Sequence, residues 1–354
     1  MSQLFRPVEL RDLTIRNRVW VSPMCQYSAT DGVPDDWHLV HLGSFARGGA
    51  GLVFTEAAAV TPEGRISPAD AGIWNDEQQQ AWARITSFVH AQGAATGIQL
   101  AHAGRKASSQ VPWLGRGGVA DADGGWRPVG PSELAFPGLR PDVHALSGQD
   151  IDEVVEAFAA AATRSVQAGF DVLEIHAAHG YLLHEFASPL SNQRTDEYGG
   201  SFANRVRLHL RVVEAVRAAV PEATPLVVRI SATDWVDGGW TADESVELAR
   251  LLKAAGVDLV DVSSGGNVAD ADIPVGPGYH VRFARRVREE AGVASGAVGM
   301  ITEAKQAEEI VAEGAADVVL LARALLRDPH WALRAAHELG ATVDWPKQYE
   351  RAAL

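Results

Sequence analysis

The chain has 354 residues, 47% of them hydrophobic and 21% charged, a composition that excludes disordered, collagenous and fibrous proteins. Its formal net charge of −14, from 45 Asp and Glu against 31 Lys and Arg, sets the average field against nucleic-acid backbones and anionic lipid, so neither is an expected partner. The single cysteine, Cys25, excludes an intrachain disulfide, a four-thiolate zinc site and an iron–sulfur cluster, and fits a reducing cytoplasm.

The first segment, MSQLFRPVELRDLTIRNR, has no apolar core of signal-peptide length, and no run in the chain reaches about 18 apolar residues. Neither export nor a membrane span is expected. Short apolar runs of buried-strand type then alternate with longer amphipathic segments. Strands are predicted at 19–23, 51–57, 96–102, 171–177, 226–233, 259–264, 295–299 and 317–322, each followed by a helical pattern. Asp76 is the predicted cap of the helix through DEQQQAWARITSFVHAQG, which Gly93 ends, and residues 147–150 precede a helix that Gly169 ends. Eight such units predict a closed α/β fold, the (β/α)8 TIM barrel. A doubly wound open sheet would want a Gly-rich phosphate turn after an early strand, and VWVSPMCQYS has none. The segment 103–148, rich in Gly, Pro and Trp, breaks the rhythm and is predicted to be a capping insertion over the barrel mouth. Residues 1–354 are expected to form one domain, with 341–354 as a C-terminal tail.

Barrels do their chemistry at the C-terminal strand ends. There the first strand leads into Ser22, Pro23, Met24, Cys25, Gln26 and Tyr27, the third carries Gln99 and His102, the fourth runs into His176, His179 and Tyr181, and the fifth carries Arg229. Two imidazoles at a strand end can begin a metal site, with His102 as a third ligand of a hydrolase or lyase. Alternatively, neutral imidazoles donate N–H groups to a carbonyl or anionic oxygen while the nearby phenol supplies a proton. Arg229 lies in the apolar run VVRISAT and needs an acceptor. Glu174, one layer below His176, and the pyrimidine edge of a flavin are the two options. The last two strands end at Gly299 and at Ala322 and Arg323, where barrels often bind phosphate, with Gly265 and Gly266 on the same wall. Of four lysines only Lys106 falls near the mouth, which argues against Schiff-base chemistry. Next to Arg105, it is either a solvated loop charge or, with Arg229 and Arg323, part of a positive mouth.

SPMCQY at 22–27, AHAGR at 101–105, HAAHGYLLHEF at 176–186, SPLSN at 188–192, DEYGGS at 196–201 and GAVG at 296–299 together resemble the Old Yellow Enzyme family over nearly the whole chain. The cysteine followed by Tyr27 is similar to the thermophilic-like bacterial branch of its ene-reductases. The resemblance implies noncovalent FMN at the mouth, NADPH (or NADH) as reductant, and no metal. It implies Ser22, Pro23, Met24, Cys25, Ala59, Gln99 and Arg229 around the flavin ring, with Cys25 tuning its potential, and Gly299, Ala322 and Arg323 at the phosphate. It assigns the carbonyl oxygen of an enone-type substrate to His176 and His179, the catalytic proton to Tyr181, and the pocket wall to Tyr27. The implied reaction is ping-pong reduction of an activated C=C bond. The larger dienoyl-CoA reductase type needs a cluster and a second flavin domain, which one cysteine and 354 residues do not provide. Two departures stand out. Ala322 replaces the usual Gly before Arg323, and the tail Gln348 to Arg351 continues as Ala-Ala-Leu instead of an aromatic end. By resemblance, that tail reaches a neighbouring subunit's site in a homodimer or homotetramer, with Arg351 touching substrate. The acidic charge is expected on the outer helices, around a locally positive mouth.

Overall fold

Parallel strands need both faces covered, so their sequences must be apolar on the outside and packed on the inside. The computed structural model, which describes residues 2–353, places all eight predicted strands: β1 Val19–Val21, β2 Leu52–Ala59, β3 Ala95–Ala101, β4 Val172–Ala177, β5 Leu226–Ser231, β6 Leu259–Ser263, β7 Ala294–Ala297 and β8 Val318–Leu321. They pair in parallel in chain order, and β8 closes on β1. The fold is therefore the expected TIM barrel. Around it run α1 Asp36–Arg47, α2 Asp76–Ala91, α3 Gly148–Gln167, α4 Leu182–Ala187, α5 Phe202–Arg205 and α6 Arg207–Ala219. The second half adds α7 Ala242–Ala254, α8 Val281–Arg286, α9 Ala304–Ala312, α10 Arg323–Arg327 and α11 Trp331–Glu338.

Asn75, not Asp76, caps α2. Its extended backbone lets its side chain accept the Gln78 N–H at 2.9 Å, while Gln78 Oε1 takes the Asn75 N–H in return. Asp76 instead lies in the first turn, where a carboxylate favours the positive end of the helix. Ser147 caps α3 in a reciprocal box with Asp150, and Gly93 and Gly169 take the left-handed turns that follow α2 and α3.

Strand alternation stacks the interior of β4, β5 and β6 in layers: Val172, Glu174, His176; Val227, Arg229, Ser231; Leu259, Asp261, Ser263. The lowest layer joins Trp20, Leu52, Phe54, Val318 and Leu320 in an apolar floor. An N-terminal hairpin, Val8–Leu10 paired with Leu13–Ile15, brings Leu10 and Ile15 to that floor, an element the sequence reading did not anticipate. Gly97 on β3 is required there, because a Cβ would run into the Phe54 ring. The opposite parity, including Leu173, Ile175, Val228, Ile230, Val260 and Val262, packs outward against the helices. An apolar floor thus supports a charged middle layer and a hydrogen-bonding rim.

The segment 103–148 folds into short turns at Gly104–Lys106, Pro112–Leu114 and Asp121–Asp123 and a two-residue pairing of Val129–Gly130 with His144–Ala145. It meets the mouth where the Trp113 ring stands edge-on to Tyr27, centroids 5.8 Å apart. The tail forms a turn at Lys347–Ala352, with Tyr349 against His330 and under Arg47. Arg47 ends α1, and helices run antiparallel to the strands, so this is the end of the barrel remote from the mouth. Arg351 is exposed there and is not brought to this chain's own candidate site. No helix among the described residues is long and apolar enough to cross a membrane.

Candidate active site

β4 carries His176 up its inner face and ends in a turn through His179, whose φ of +60° lies in the left-handed region. The backbone N–H of His179 donates to Ser231 Oγ at 2.9 Å. This geometry brings His179 Nδ1 to 3.4 Å from His176 Nε2, with His179 Nε2 only 2.8 Å from Ser263 Oγ. Burial, reinforced by the Arg229 charge, holds both imidazoles well below the usual histidine range, so both are neutral. A neutral imidazole donates from one nitrogen, and the two facing nitrogens can therefore each offer an N–H to one oxygen. Tyr181, two residues on, sets its ring edge-on to His176 at 5.1 Å. Burial first, then Cys25, Tyr27 and Asp70, push its phenol well above the usual range, so it keeps its proton.

Lys106 is not a solvated charge. Its Nζ donates to the carbonyls of His179 and Gly266 at 2.8 and 2.9 Å, tying the β4 turn to the β6 loop, and sits 5.1 Å from the Tyr181 ring centroid. Arg105 is likewise buried, donating to Asn267. Gly180 allows this close approach, since a Cβ would collide with the Gly266 carbonyl. Behind the turn, the Gly180 N–H donates to His184 Nδ1 at 2.9 Å, and His184 Nε2 lies 3.0 Å from Asp234 Oδ1. His102 stays apart from the histidine pair, because its Nδ1 takes the Gly104 N–H at 3.1 Å. Among the described residues no group of three or more His, Cys, Asp or Glu is arranged to hold a metal.

The charged middle layer rules out Glu174 as the partner of Arg229. Its Nε lies 3.0 Å from Asp261 Oδ2, and Glu174 instead accepts from Gln99 Nε2 at 2.7 Å. The strand registers decide this: Arg229 is level with Asp261 on one side and His176 on the other, whereas Glu174 is level with Gln99. Parity alone could have found Asp261 and Ser263, which share the inward face of Leu259. Among the described residues, six acids are buried (Glu56, Asp70, Glu174, Glu185, Asp234, Asp261) against three arginines (Arg105, Arg205, Arg229). Burial pushes Asp70 up to about 7, with Glu56 adding to it. Asp70, also unanticipated, lines a pocket with Ala57, Ala59, Ala101 and Tyr181.

On the β1 side, the Ser22 N–H donates to the Leu321 carbonyl at 2.9 Å, and Pro23, Met24 and Cys25 follow half-buried. Burial pushes the Cys25 thiol well up, with Asp70 and Glu56 adding to it. The next turn has Tyr27 at φ +52°. It is held by the Gln26 N–H donating to Glu56 Oε2 at 3.1 Å, and His38 Nε2 lies 2.9 Å from Glu56 Oε1. Between β6 and β8, Gly299, Ala322 and Arg323 line a cavity of about 330 Å³ with Ser263, Tyr279 and His280. Gly299 has φ +106°, and a Cβ there would lie 2.7 Å from His280 Nδ1. Tyr279 and His280 come from the loop before α8, which carries no motif.

These residues fit a flavin mononucleotide on observations of their own. Arg229 stands 3.0 Å from Asp261 through Nε, and that Nε is buried with no hydrogen-bond partner. Gly299 forms a cradle that a side chain would fill, and His280 Nδ1 is buried beside it without a partner. Arg323 is exposed at the cavity rim.

The sequence profile of the NADH:flavin oxidoreductase / NADH oxidase family matches residues 3–341. The NADPH dehydrogenase of Bacillus subtilis is 46% identical, covering 99% of this chain and 98% of its own length. Among solved structures, morphinone reductase in complex with tetrahydroNAD has a TM-score of 0.80 at 28% identity, covering 98% of this chain and 93% of that one. A 2-naphthoyl-CoA reductase has a TM-score of 0.86 at 25% identity over 96% of this chain, which spans only 52% of that protein. The chain belongs to the NADH:flavin oxidoreductase family, that of Old Yellow Enzyme, and is an NAD(P)H-dependent flavin oxidoreductase of the NADPH dehydrogenase type.

Proposed function

We propose that the protein is an FMN-dependent, cytoplasmic ene-reductase of the thermophilic-like branch, which uses NADPH to reduce the activated C=C bond of α,β-unsaturated carbonyl compounds. The observation that carries this reading is the convergence of two neutral imidazoles, 3.4 Å apart, beside a phenol that keeps its proton. A bound flavin supplies the two-electron chemistry, taking hydride from a reduced nicotinamide and passing it to the β-carbon of the alkene. His176 Nε2–H and His179 Nδ1–H hold the carbonyl oxygen and stabilise the charge that grows on it. Tyr181 gives the proton of its hydroxyl to the α-carbon. Tyr27 and Trp113 wall the pocket. Ser22, Pro23, Met24, Cys25, Ala59, Gln99 and Arg229 border the flavin ring, and Gly299, Ala322 and Arg323 hold its phosphate. The tetrahydroNAD complex of morphinone reductase supports a nicotinamide as the reductant. The exposed tail, away from its own mouth, suits a homo-oligomer in which Arg351 serves a neighbouring site.

Tyr181→Phe tests the assignment. Reoxidation by an enone should slow by about 10² to 10⁴, while reduction by NADPH stays unchanged. Equal loss in both half-reactions overturns it.

A further inference from the structure

The middle layer of the barrel contains one cation and two carboxyls. Glu174 and Asp261 are 0% exposed and Arg229 5%, so all three are shielded from solvent. The contacts are unequal. Asp261 Oδ2 lies 3.0 Å from Arg229 Nε as an ion pair, although neither Asp261 oxygen has a hydrogen-bond partner, whereas Glu174 has no cation beside it, only one amide N–H, from Gln99, at Oε1 and none at Oε2. The other near groups are uncharged: Gln99 comes from β3 and neutral His176 from β4. An ionised carboxylate with no cation is among the costliest groups to bury. A protonated carboxyl with its hydroxyl on Oε2 still accepts the Gln99 N–H at Oε1. Burial raises both acids and Arg229 draws both back, but Asp261 pushes Glu174 up further.

We infer that Glu174 is the protonated member of this trio and Asp261 the ionised one, so that Asp261 is the counter-charge that limits how strongly Arg229 favours reduced over oxidised FMN. The inference rests on the flavin reading above. Reduction leaves the flavin with a negative charge that the guanidinium attracts. The Arg229 charge already acts on His176, His179, His280 and Tyr279 on several sides of the mouth. Asp261 is then a positioning and charge-setting residue beneath the cofactor, and Glu174 a neutral anchor for Gln99.

The two carboxyls can be separated by isosteric exchange in the FMN-loaded protein. The dissociation constant of oxidised FMN is read by fluorescence quenching and the midpoint potential by dye equilibration. Asp261→Asn should tighten reduced relative to oxidised FMN by about tenfold or more, as a unit charge acting through an effective dielectric of about 20 would, an upward shift of about 30 mV or more for a two-electron couple. Glu174→Gln exchanges one neutral group for another and should leave the ratio within about twofold, well inside that charge effect. If Asp261→Asn does not fold, Asp261→Ser removes the same charge and leaves room for water. A potential that rises equally in both variants shows Glu174 to be ionised and overturns the inference. So does a potential that stays put or falls when Asp261 is neutralised. A wild-type chain that takes up no FMN overturns the flavin reading and this inference with it.

Discussion

Two turns with left-handed residues face the mouth, one at Tyr27 and one at His179, and each is backed by a buried histidine and carboxylate. They are built differently. At the β4 turn the imidazole itself grips the backbone: His184 Nδ1 takes the Gly180 N–H, which leaves the proton on Nε2, towards Asp234. Asp234 also accepts from Ser188 Oγ at 2.5 Å and from the Trp240 N–H at 2.9 Å. At the β1 turn the carboxylate grips the backbone: Glu56 takes the Gln26 N–H, and His38 stands behind it between Glu56 and Asp35, with 2.9 Å to each. The turn bearing His179 and Tyr181 thus hangs on an imidazole nitrogen, and the turn bearing Cys25 and Tyr27 on a carboxylate oxygen.

The largest test of that contrast is Asp234→Ala. It strands three buried donors, on His184, Ser188 and Trp240, each costing about 1–3 kcal/mol, and denaturant unfolding should show a loss of about 3 kcal/mol or more. Glu56→Gln keeps an acceptor for the Gln26 N–H and should cost less, about 1–3 kcal/mol; equal costs would erase the distinction. The finest test is pH. Burial lowers His38, but Glu56 and Asp35 more than reverse it, so its pKa is raised. Its contribution is full below about 6.5, the ordinary histidine value, and is lost as pH rises through the raised one. Burial alone would raise Asp234, but His184, Ser188 and Trp240 hold it at about 2. That contribution is present above about 3.9 and is lost as pH falls through about 2. The Gln26 amide should therefore lose protection on the alkaline side and the Gly180 amide on the acid side, read by hydrogen exchange corrected for intrinsic rates. Parallel loss at both amides would mean that one shared opening, not two braces, governs the mouth.

Much of this was legible in the sequence. The strands and their closure follow from apolar runs and helix punctuation, and His176, His179 and Tyr181 stand within six residues at one strand end, so local geometry suffices to bring them together. The cap of α2 was misplaced by one residue because Asn75 and Asp76 are both capping types and only backbone conformation distinguishes them. The role of Lys106 is not legible in the sequence because its acceptors, the carbonyls of His179 and Gly266, lie far away in the chain. His38, Glu56, His184 and Asp234 went unnoticed for the same reason.

By itself the sequence determined the repeating βα order, the strand-end positions of the candidate residues and the family, because those depend on periodicity and on contiguous motifs. Only the tertiary structure decided which charges meet. Register places Asp261, not Glu174, level with Arg229, and inside a closed barrel that choice leaves one carboxyl with a cation and the other with an amide alone.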